Sequence, residues 1–270
     1  MTRLILHPGF HKTGTSSVQA ALKANRERLG TRVHVALKAD ILPVTESARI
    51  WSKRRGRLDL GLMQGFWAEY LEELHLGPLD CLIVSAEDLA GHMPGRMGLT
   101  RYDAAPTLIA ALCETAQLVL GAGCDITVHL STRAAAPWIE SLHWQYLVNT
   151  PLTEDLATFA ANLPEAADHA AILAQIRDAL PEDVTAQMIA LEDSTTMAQG
   201  PLTPLLDLAG VSDERRADLR PEPPANARPR LPDVDLPQAL LELNRAGLPR
   251  TTLTAEKKAL LAKARKAQSA

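Results

Sequence analysis

The N-terminal segment combines three elements in direct succession: an apolar run, a turn bounded by glycines, and a helical pattern. Residues 4–6 read Leu-Ile-Leu, a run typical of a buried strand, and the turn lies between Gly9 and Gly14. Val18, Ala21 and Leu22 then recur at helical spacing. A strand, a tight turn and a helix in this order predict an α/β chain whose turn lies at a helix N-terminus.

The turn carries one lysine, Lys12, and is followed by several hydroxyl side chains. Exposed N–H groups and the positive end of a helix dipole, together with a lysine ammonium, form a binding site for a phosphate. In the nucleotide triphosphatase loop G-x-x-x-x-G-K-[ST] a glycine immediately precedes the lysine, whereas here His11 has that position. A helix cap that is rich in hydroxyl residues by chance is the alternative, since such residues are preferred N-caps.

Residues 12–17, Lys-Thr-Gly-Thr-Ser-Ser, resemble the 5′-phosphosulfate loop of the sulfotransferases without a gap. In that family a strand is followed by K-T-G-T-[TS]-[ST] and then by a helix. The resemblance implies a P-loop-type three-layer α/β fold with a central parallel sheet, and 3′-phosphoadenosine 5′-phosphosulfate as donor. It also implies that seven loop residues bind this donor: His11, Lys12, Thr13, Gly14, Thr15, Ser16 and Ser17.

A second pair of residues stands where the family holds the 3′-phosphate of the donor. Residues 125–132 alternate and are rich in β-branched side chains, which predicts a strand that ends at Arg133. Ser141 follows eight positions later, on a helical pattern. A planar guanidinium can bind a phosphate through two hydrogen bonds, and a hydroxyl can add a third. The resemblance therefore implies that Arg133 and Ser141 bind the 3′-phosphate.

A catalytic base is expected at another strand end, because ligands of open α/β sheets lie outside the carboxyl ends of the strands. Residues 82–84 predict a central strand, and Glu87 and Asp88 follow it. Cytosolic sulfotransferases have a histidine base here and carbohydrate-acting relatives a glutamate, so the resemblance implies Glu87. His11 and His92 are rival bases, since imidazole titrates near neutrality. Glu87 could instead be an acidic residue at a helix N-terminus.

The resemblance implies an enzyme, a sulfotransferase of bacterial type. It would move a sulfuryl group to an acceptor hydroxyl or amine by in-line displacement, with Lys12 and Glu87 as catalytic residues and without a metal. A P-loop kinase or nucleotide triphosphatase is the alternative, with Glu87 or Asp88 serving a magnesium ion. A non-catalytic nucleotide-binding protein of the same fold is the third possibility.

Composition limits the partners and the compartment. The chain has 270 residues, 46% of them hydrophobic, and a formal net charge of −4, which gives no general case for nucleic-acid binding. Three cysteines without metal-like spacing predict reduced thiols. The sequence shows neither a signal-peptide pattern nor an apolar stretch long enough for a transmembrane segment. We expect a cytoplasmic protein; its oligomeric state is left open.

Strands alternate with helical stretches from residue 3 to about residue 191, with further strands predicted at residues 32–37 and 184–191. This pattern predicts a parallel sheet covered by helices on both faces. Residues 41–76 contain four aromatic side chains in mostly helical patterning: Trp51, Phe66, Trp67 and Tyr70. A stripe buried in the core is favoured there over an acceptor pocket.

The composition of the chain changes at residues 220–230, which are rich in proline and arginine. The prolines exclude regular secondary structure there. In sulfotransferases a basic loop near the C-terminus closes over the donor, so Asn226 and Arg228 are candidate donor-binding residues; a solvated linker is the alternative. Helices are predicted at residues 236–244 and 254–266, the second with a solvated basic face that includes Lys257. We predict a sulfotransferase-like domain over residues 1–232 and a C-terminal helical extension, packed on or beside it, over residues 233–270.

Overall fold

A computed structural model describes residues 1–221 and 228–268 of the chain. Five strands in this part form one sheet: β1 (Arg3–His7), β2 (Val33–Leu37), β3 (Cys81–Ser85), β4 (Asp125–Thr132) and β5 (Thr185–Ala190). Every neighbouring pair is parallel, and the strand order is β2-β3-β1-β4-β5. The predicted strands and the parallel sheet are confirmed.

The helices of the described residues connect and cover the strands: α1 (Thr15–Asn25), α2 (Leu42–Arg54), α3 (Arg57–Glu73), α4 (Ala105–Leu120), α5 (Ala135–Asn149), α6 (Leu156–Ala161), α7 (His169–Ala179), α8 (Leu191–Ser194), α9 (Thr203–Ala209), α10 (Asp213–Ala217), α11 (Leu236–Arg245) and α12 (Arg250–Gln268). Short 3₁₀ turns lie at Glu87–Ala90, Glu165–Ala167 and Gly200–Leu202.

Successive residues of the central strand β1 face opposite sides of the sheet, as the two-residue period of a strand requires. Leu4 and Leu6 belong to a large apolar cluster with residues of α2, α3, α4, α5 and α7. Ile5 belongs to a second cluster, with residues of α1 and α9. The sheet is therefore the middle of three layers, which confirms the α/β fold class.

The strand order puts β1 between β3 and β4, so the segments that follow these three strands leave the sheet at one edge. The register aligns the last residues, because His7 pairs with Ser85 and Leu6 pairs with Val128. Functional groups widely separated in the sequence can meet at this edge.

The C-terminal helices α11 and α12 pack against α5. Leu240 of α11 and Leu261 of α12 form a small apolar cluster with Leu147 of α5. Asn244 also donates hydrogen bonds to the carbonyl oxygens of Leu147 at 3.3 Å and Leu152 at 2.8 Å. The division of the chain into two units at residue 232 stays a prediction.

Lys257 of α12 corrects the prediction of a wholly solvated basic face. Its side chain is buried, and its ammonium donates to the carbonyl oxygens of Leu147 at 2.6 Å and Thr150 at 2.7 Å. Burial lowers the pKa of Lys257. These carbonyls lie at the C-terminal end of α5, where the helix dipole favours a positive charge.

Trp51 and Trp67 lie in the large core cluster, and the Trp67 indole donates to the carbonyl oxygen of Leu112 at 3.0 Å. The interpretation as a buried stripe is confirmed for Trp51 and Trp67, whereas Phe66 is exposed. Cys81, Cys113 and Cys124 are buried free thiols. None of the helices in the described ranges is both long and apolar enough to cross a bilayer.

Replacing Lys257 with methionine should lower the free energy of unfolding by about 1 to 3 kcal/mol, because carbonyl groups at the end of α5 lose a charged donor. Denaturant unfolding measures the loss. Lys258→Met is the matched control, since Lys258 is exposed on the same helix. Equal unfolding free energies of the two variants would contradict a capping role for Lys257.

Candidate functional site

The loop between β1 and α1 follows a backbone path that depends on glycine. Gly9 and Gly14 have φ angles of 58° and 92°, in the left-handed region. A Cβ atom on Gly9 would lie 2.4 Å from Thr15 Cγ2, and one on Gly14 would lie 2.6 Å from Leu191 Cδ1. Lys12 also lies in the left-handed region, with φ of 70°, which non-glycine residues rarely adopt outside constrained sites.

Side chains from other elements hold the loop backbone in place. The Trp138 indole of α5 donates to the carbonyl oxygen of His11 at 2.8 Å. The His11 amide donates to the hydroxyl oxygen of Tyr102 at 3.1 Å. The fully buried Thr13 donates its hydroxyl hydrogen to the carbonyl oxygen of Phe10. These contacts fix the backbone of the loop.

A buried chain of hydrogen bonds extends from Thr13 to the ends of β4, β1 and β3. Thr13 Oγ1 lies 3.0 Å from Ser131 Oγ, Ser131 Oγ lies 3.2 Å from His7 Nε2, and His7 Nδ1 lies 2.8 Å from Ser85 Oγ. Because the Thr13 hydrogen goes to Phe10, Ser131 must donate to Thr13, and His7 Nε2 to Ser131. Nδ1 then accepts from Ser85.

This chain needs His7 in its neutral form. Burial, together with a smaller effect of the neighbouring His129, lowers the pKa of His7 to about 3. The ring centroids of His7 and His129 are 5.6 Å apart, and burial lowers the pKa of His129 to about 4. Both rings are therefore uncharged near pH 7. His7 and His129 add no positive charge to the site at the loop.

The carboxyl edge of the sheet opens into a cavity of about 1190 Å³. Most of the predicted site residues line it: His11, Lys12, Gly14, Thr15, Ser16, Ser17, Glu87, Arg133, Ser141 and Arg228. Thr13 points away, into the core. Asn226, the remaining candidate, lies outside the described residues. Their binding and catalytic roles stay predictions.

Three cationic side chains converge in the cavity. Burial lowers the pKa of Lys12, as do Arg228 and Arg133, while Glu87 acts in the opposite direction. Burial lowers the pKa of Arg228 as well; Glu140 raises it and Arg133 lowers it. Since these positive charges repel one another, their arrangement suits a ligand with several negative charges.

The helix α5 contributes a stripe to the cavity wall through Ser141, Gln145 and Val148. Lys12 Nζ donates to Gln145 Oε1 at 3.3 Å, and the Arg133 guanidinium reaches the Lys12 carbonyl oxygen at 3.5 Å. Gln145 was missed by the sequence analysis. The signal was present, because a residue four positions after Ser141 lies on the same helix face.

Glu87 is the only Asp or Glu among the described residues that line the cavity. It begins the 3₁₀ turn Glu87–Ala90, so it is also an acidic residue at a helical N-terminus. Gln19 of α1 donates to Glu87 Oε2 at 2.6 Å, which fixes the carboxylate beside the helix that begins at the loop. A carboxylate that accepts such a bond has a further oxygen for a proton.

Asp88 is bound by two cationic side chains, Lys38 and Arg49, and lies beside the imidazole of His11. Lys38 Nζ lies 2.5 Å from Asp88 Oδ2, and Arg49 Nε and His11 Nε2 each lie 3.6 Å from Asp88 Oδ1. Burial alone would raise the pKa of Asp88, but the contacts with His11 and Lys38 lower it to about 2. Its oxygens therefore face Lys38, Arg49 and His11, which suits a structural role.

The two histidines that rival Glu87 as a base are less suitably placed. Both ring nitrogens of His11 have partners, since Nδ1 lies 3.2 Å from the Tyr102 hydroxyl and Nε2 faces Asp88. His92 is not among the described residues that line the cavity. Burial, Arg49 and Lys53 lower the pKa of His92 to about 4.

Further arginines of the cavity wall were missed by the sequence analysis: Arg216, Arg220 and Arg265. Arg216 forms an ion pair with Asp207 at 2.5 Å. Arg220 is the first residue of the proline-rich segment at residues 220–230. The sequence analysis noted the arginines of this segment but did not predict Arg220 as a site residue. Arg265 reaches the cavity only because α12 packs on α5, which no local pattern indicates.

No protein-family model and no curated protein sequence matches this chain. Among solved structures, a sulfotransferase from Alicyclobacillus acidocaldarius is similar to it, with 14% sequence identity and a TM-score of 0.44. The aligned region covers 95% of this chain and 93% of that chain. A likeness at this level carries no information about activity or substrate.

The stability of the protein should fall below about pH 6.5. Unfolded histidine binds a proton near pH 6.5, whereas buried His7 binds one only near pH 3, so its contribution is lost as the pH falls through this window. Between pH 7 and pH 5, His7 should account for about 2 kcal/mol of lost unfolding free energy.

Denaturant unfolding of His7→Gln at both pH values isolates this contribution. The variant should have a smaller difference between pH 7 and pH 5 than the parent chain. His75→Gln is the control, because exposed His75 should leave the parent's pH dependence unchanged. If His7→Gln retains the parent's full pH dependence, His7 is not held neutral in the folded protein.

Proposed function

We propose that this protein is a sulfotransferase that moves a sulfuryl group from 3′-phosphoadenosine 5′-phosphosulfate to an acceptor hydroxyl or amine. The observation that carries the proposal is the shared cavity of Lys12, Arg133, Arg228 and Glu87. Three cations and one carboxylate are what a polyanionic donor and the removal of an acceptor proton require.

The donor would bind across the carboxyl ends of β1 and β4. Its 5′-phosphosulfate would lie at the N-terminus of α1, where Ser16 and Ser17 lie in the first turn and Lys12 supplies a positive charge. Its 3′-phosphate would lie between Arg133 and Ser141, with Arg228 nearby, over the ring of Trp144 on the same helix as Ser141. Because the cations repel one another, a ligand that bears phosphates at both ends would stabilise their arrangement most.

In-line transfer forms a bond between the acceptor oxygen or nitrogen and sulfur, and breaks the bond between sulfur and the bridging oxygen of the phosphate. The acceptor proton would go to Glu87, which Gln19 holds at the cavity wall. Lys12 would stabilise the charge that develops on the departing phosphate oxygen. As in phosphoryl transfer, most of the rate enhancement would come from positioning and electrostatics.

The kinase or nucleotide triphosphatase alternative is less well supported by the site. It needs a carboxylate at the end of β3 to serve magnesium, and Asp88 is bound by Lys38, Arg49 and His11. Of the two carboxylates that follow β3, only Glu87 would then be available to bind magnesium. A non-catalytic binding protein of this fold would need the cations but not Glu87, and binding without turnover on any acceptor would favour it.

The unmodified protein should bind 3′-phosphoadenosine 5′-phosphate about tenfold or more tightly than adenosine 5′-phosphate, since charge-assisted hydrogen bonds contribute about 1.5 to 3 kcal/mol. Arg133→Ala should remove most of this preference with little effect on adenosine 5′-phosphate. Calorimetric titration of both ligands measures it.

Lys12→Ala provides the contrast, because Lys12 faces the 5′-phosphate that both ligands share. It should weaken the two ligands by similar factors and leave the preference intact. Equal binding of the two nucleotides by the unmodified protein would overturn the assignment of Arg133 and Ser141 and favour the kinase alternative.

Glu87→Gln should reduce turnover by about 10² to 10⁴ while nucleotide affinity and folding are retained, because the variant keeps the volume but cannot accept the proton. Sulfate transfer to a panel of hydroxyl and amine acceptors, with titration of the product nucleotide in parallel, separates chemistry from binding. Full turnover by Glu87→Gln would exclude Glu87 as the base, even if the donor assignment stands.

A further inference from the structure

The helix α3 has apolar side chains on its outer side as well as on its inner side. Met63, Trp67 and Leu71 face the core. On the outer side, the exposed fractions are 84% for Leu58, 54% for Leu62 and 37% for Phe66. These leucines and Phe66 line a shallow groove of about 380 Å³, here named the α3 face, together with Arg57, Gly61, Gly65 and Glu69. Core packing does not explain this outer stripe.

The α3 face is complementary to itself when a second α3 helix lies antiparallel on it. The glycines are symmetric about residue 63, and so are Arg57 and Glu69. An antiparallel partner therefore places Gly61 opposite Gly65, where two helices can approach closely, and Arg57 opposite Glu69. The apolar row is centred one residue earlier, at Leu62, so in the same pair Leu58 lies within about two residues of the level of Phe66, and Leu62 lies close to its own copy.

The charges around the α3 face support this pairing. Lys53, Arg54 and Arg57 are exposed near the start of α3, and Glu69, Glu72 and Glu73 are exposed near its end. Lys53 and Arg54 lie in the last turn of α2, where the dipole of that helix favours positive charge. Within α3, Arg57 at the N-terminus and Glu72 and Glu73 at the C-terminus oppose the helix dipole, whereas Asp59 in the first turn agrees with it. An antiparallel second copy would put each basic end beside an acidic end and offset this repulsion.

We propose that the α3 face is the interface of a two-fold symmetric homodimer, in which α3 packs antiparallel on α3 of a second copy of this chain. No residue of α3 in the described structure lines the cavity that holds Lys12. The dimer would therefore leave the cavity open, and it stands or falls independently of the proposed enzymatic activity.

The mass of the full chain in solution, measured by sedimentation equilibrium over a range of concentrations, tests the proposal. The unmodified chain should be a dimer that dissociates on dilution. Leu58→Asp should weaken the dimer by about tenfold or more, because each interface would bury an unpaired charge at two positions. Leu118→Asp is the matched control, since Leu118 is also 84% exposed but lies on α4. Its dimer should be unaffected.

Charge reversal tests the antiparallel geometry. Arg57→Glu and Glu69→Arg should each weaken the dimer, because each places like charges opposite one another at two symmetry-related contacts. The double variant should recover self-association, since the exchanged charges again meet their opposites in an antiparallel pair. A parallel pair would not be rescued in this way.

A monomeric mass for the unmodified chain at every concentration would overturn the proposal. So would a dimer that Leu58→Asp leaves intact, because the interface would then lie elsewhere. Circular dichroism of each variant establishes that the fold is retained, which surface substitutions on an exposed helix face should allow. A double charge variant as weakly associated as the single variants would exclude the antiparallel arrangement.

Discussion

The buried hydrogen-bond chain from Ser85 through His7 and Ser131 to Thr13 is the constraint on which the candidate site depends. It joins the ends of three parallel strands to the loop that precedes α1. Each donor in the chain has one acceptor only if His7 is neutral, and burial keeps it so. A loop held in this way keeps Lys12 and the N-terminus of α1 at the wall of the cavity.

The same constraint makes the cationic cluster possible. Lys12 has a left-handed backbone conformation, and it lies in the field of Arg133 and Arg228, an arrangement that is unfavourable without a ligand. Such strain and repulsion persist only where the surrounding structure fixes the groups. A polyanion that binds there would relieve the repulsion between the cations. The free energy gained in this way would contribute to the affinity of the complex.

Features with short-range causes could be predicted from the sequence. The strand, loop and α1 follow from residues 4–22, and the pattern of residues 125–146 places Arg133 at a strand end and Ser141 on the next helix. Only the family resemblance singled out these two residues. The burial of Lys257, the contact of Gln19 with Glu87 and the presence of Arg265 at the cavity could not be predicted, because each depends on packing between distant segments. Gln145 could have been predicted but was missed, because it lies on the same helix face as Ser141.

A crystal structure with 3′-phosphoadenosine 5′-phosphate bound tests the central claim most directly. The 5′-phosphate should lie at the N-terminus of α1 within hydrogen-bond distance of Lys12, and the 3′-phosphate should contact Arg133 and Ser141. Glu87 should then face the open side of the 5′-phosphate, where an acceptor can approach. A nucleotide bound elsewhere, or bound here with the 3′-phosphate away from Arg133, would contradict the account.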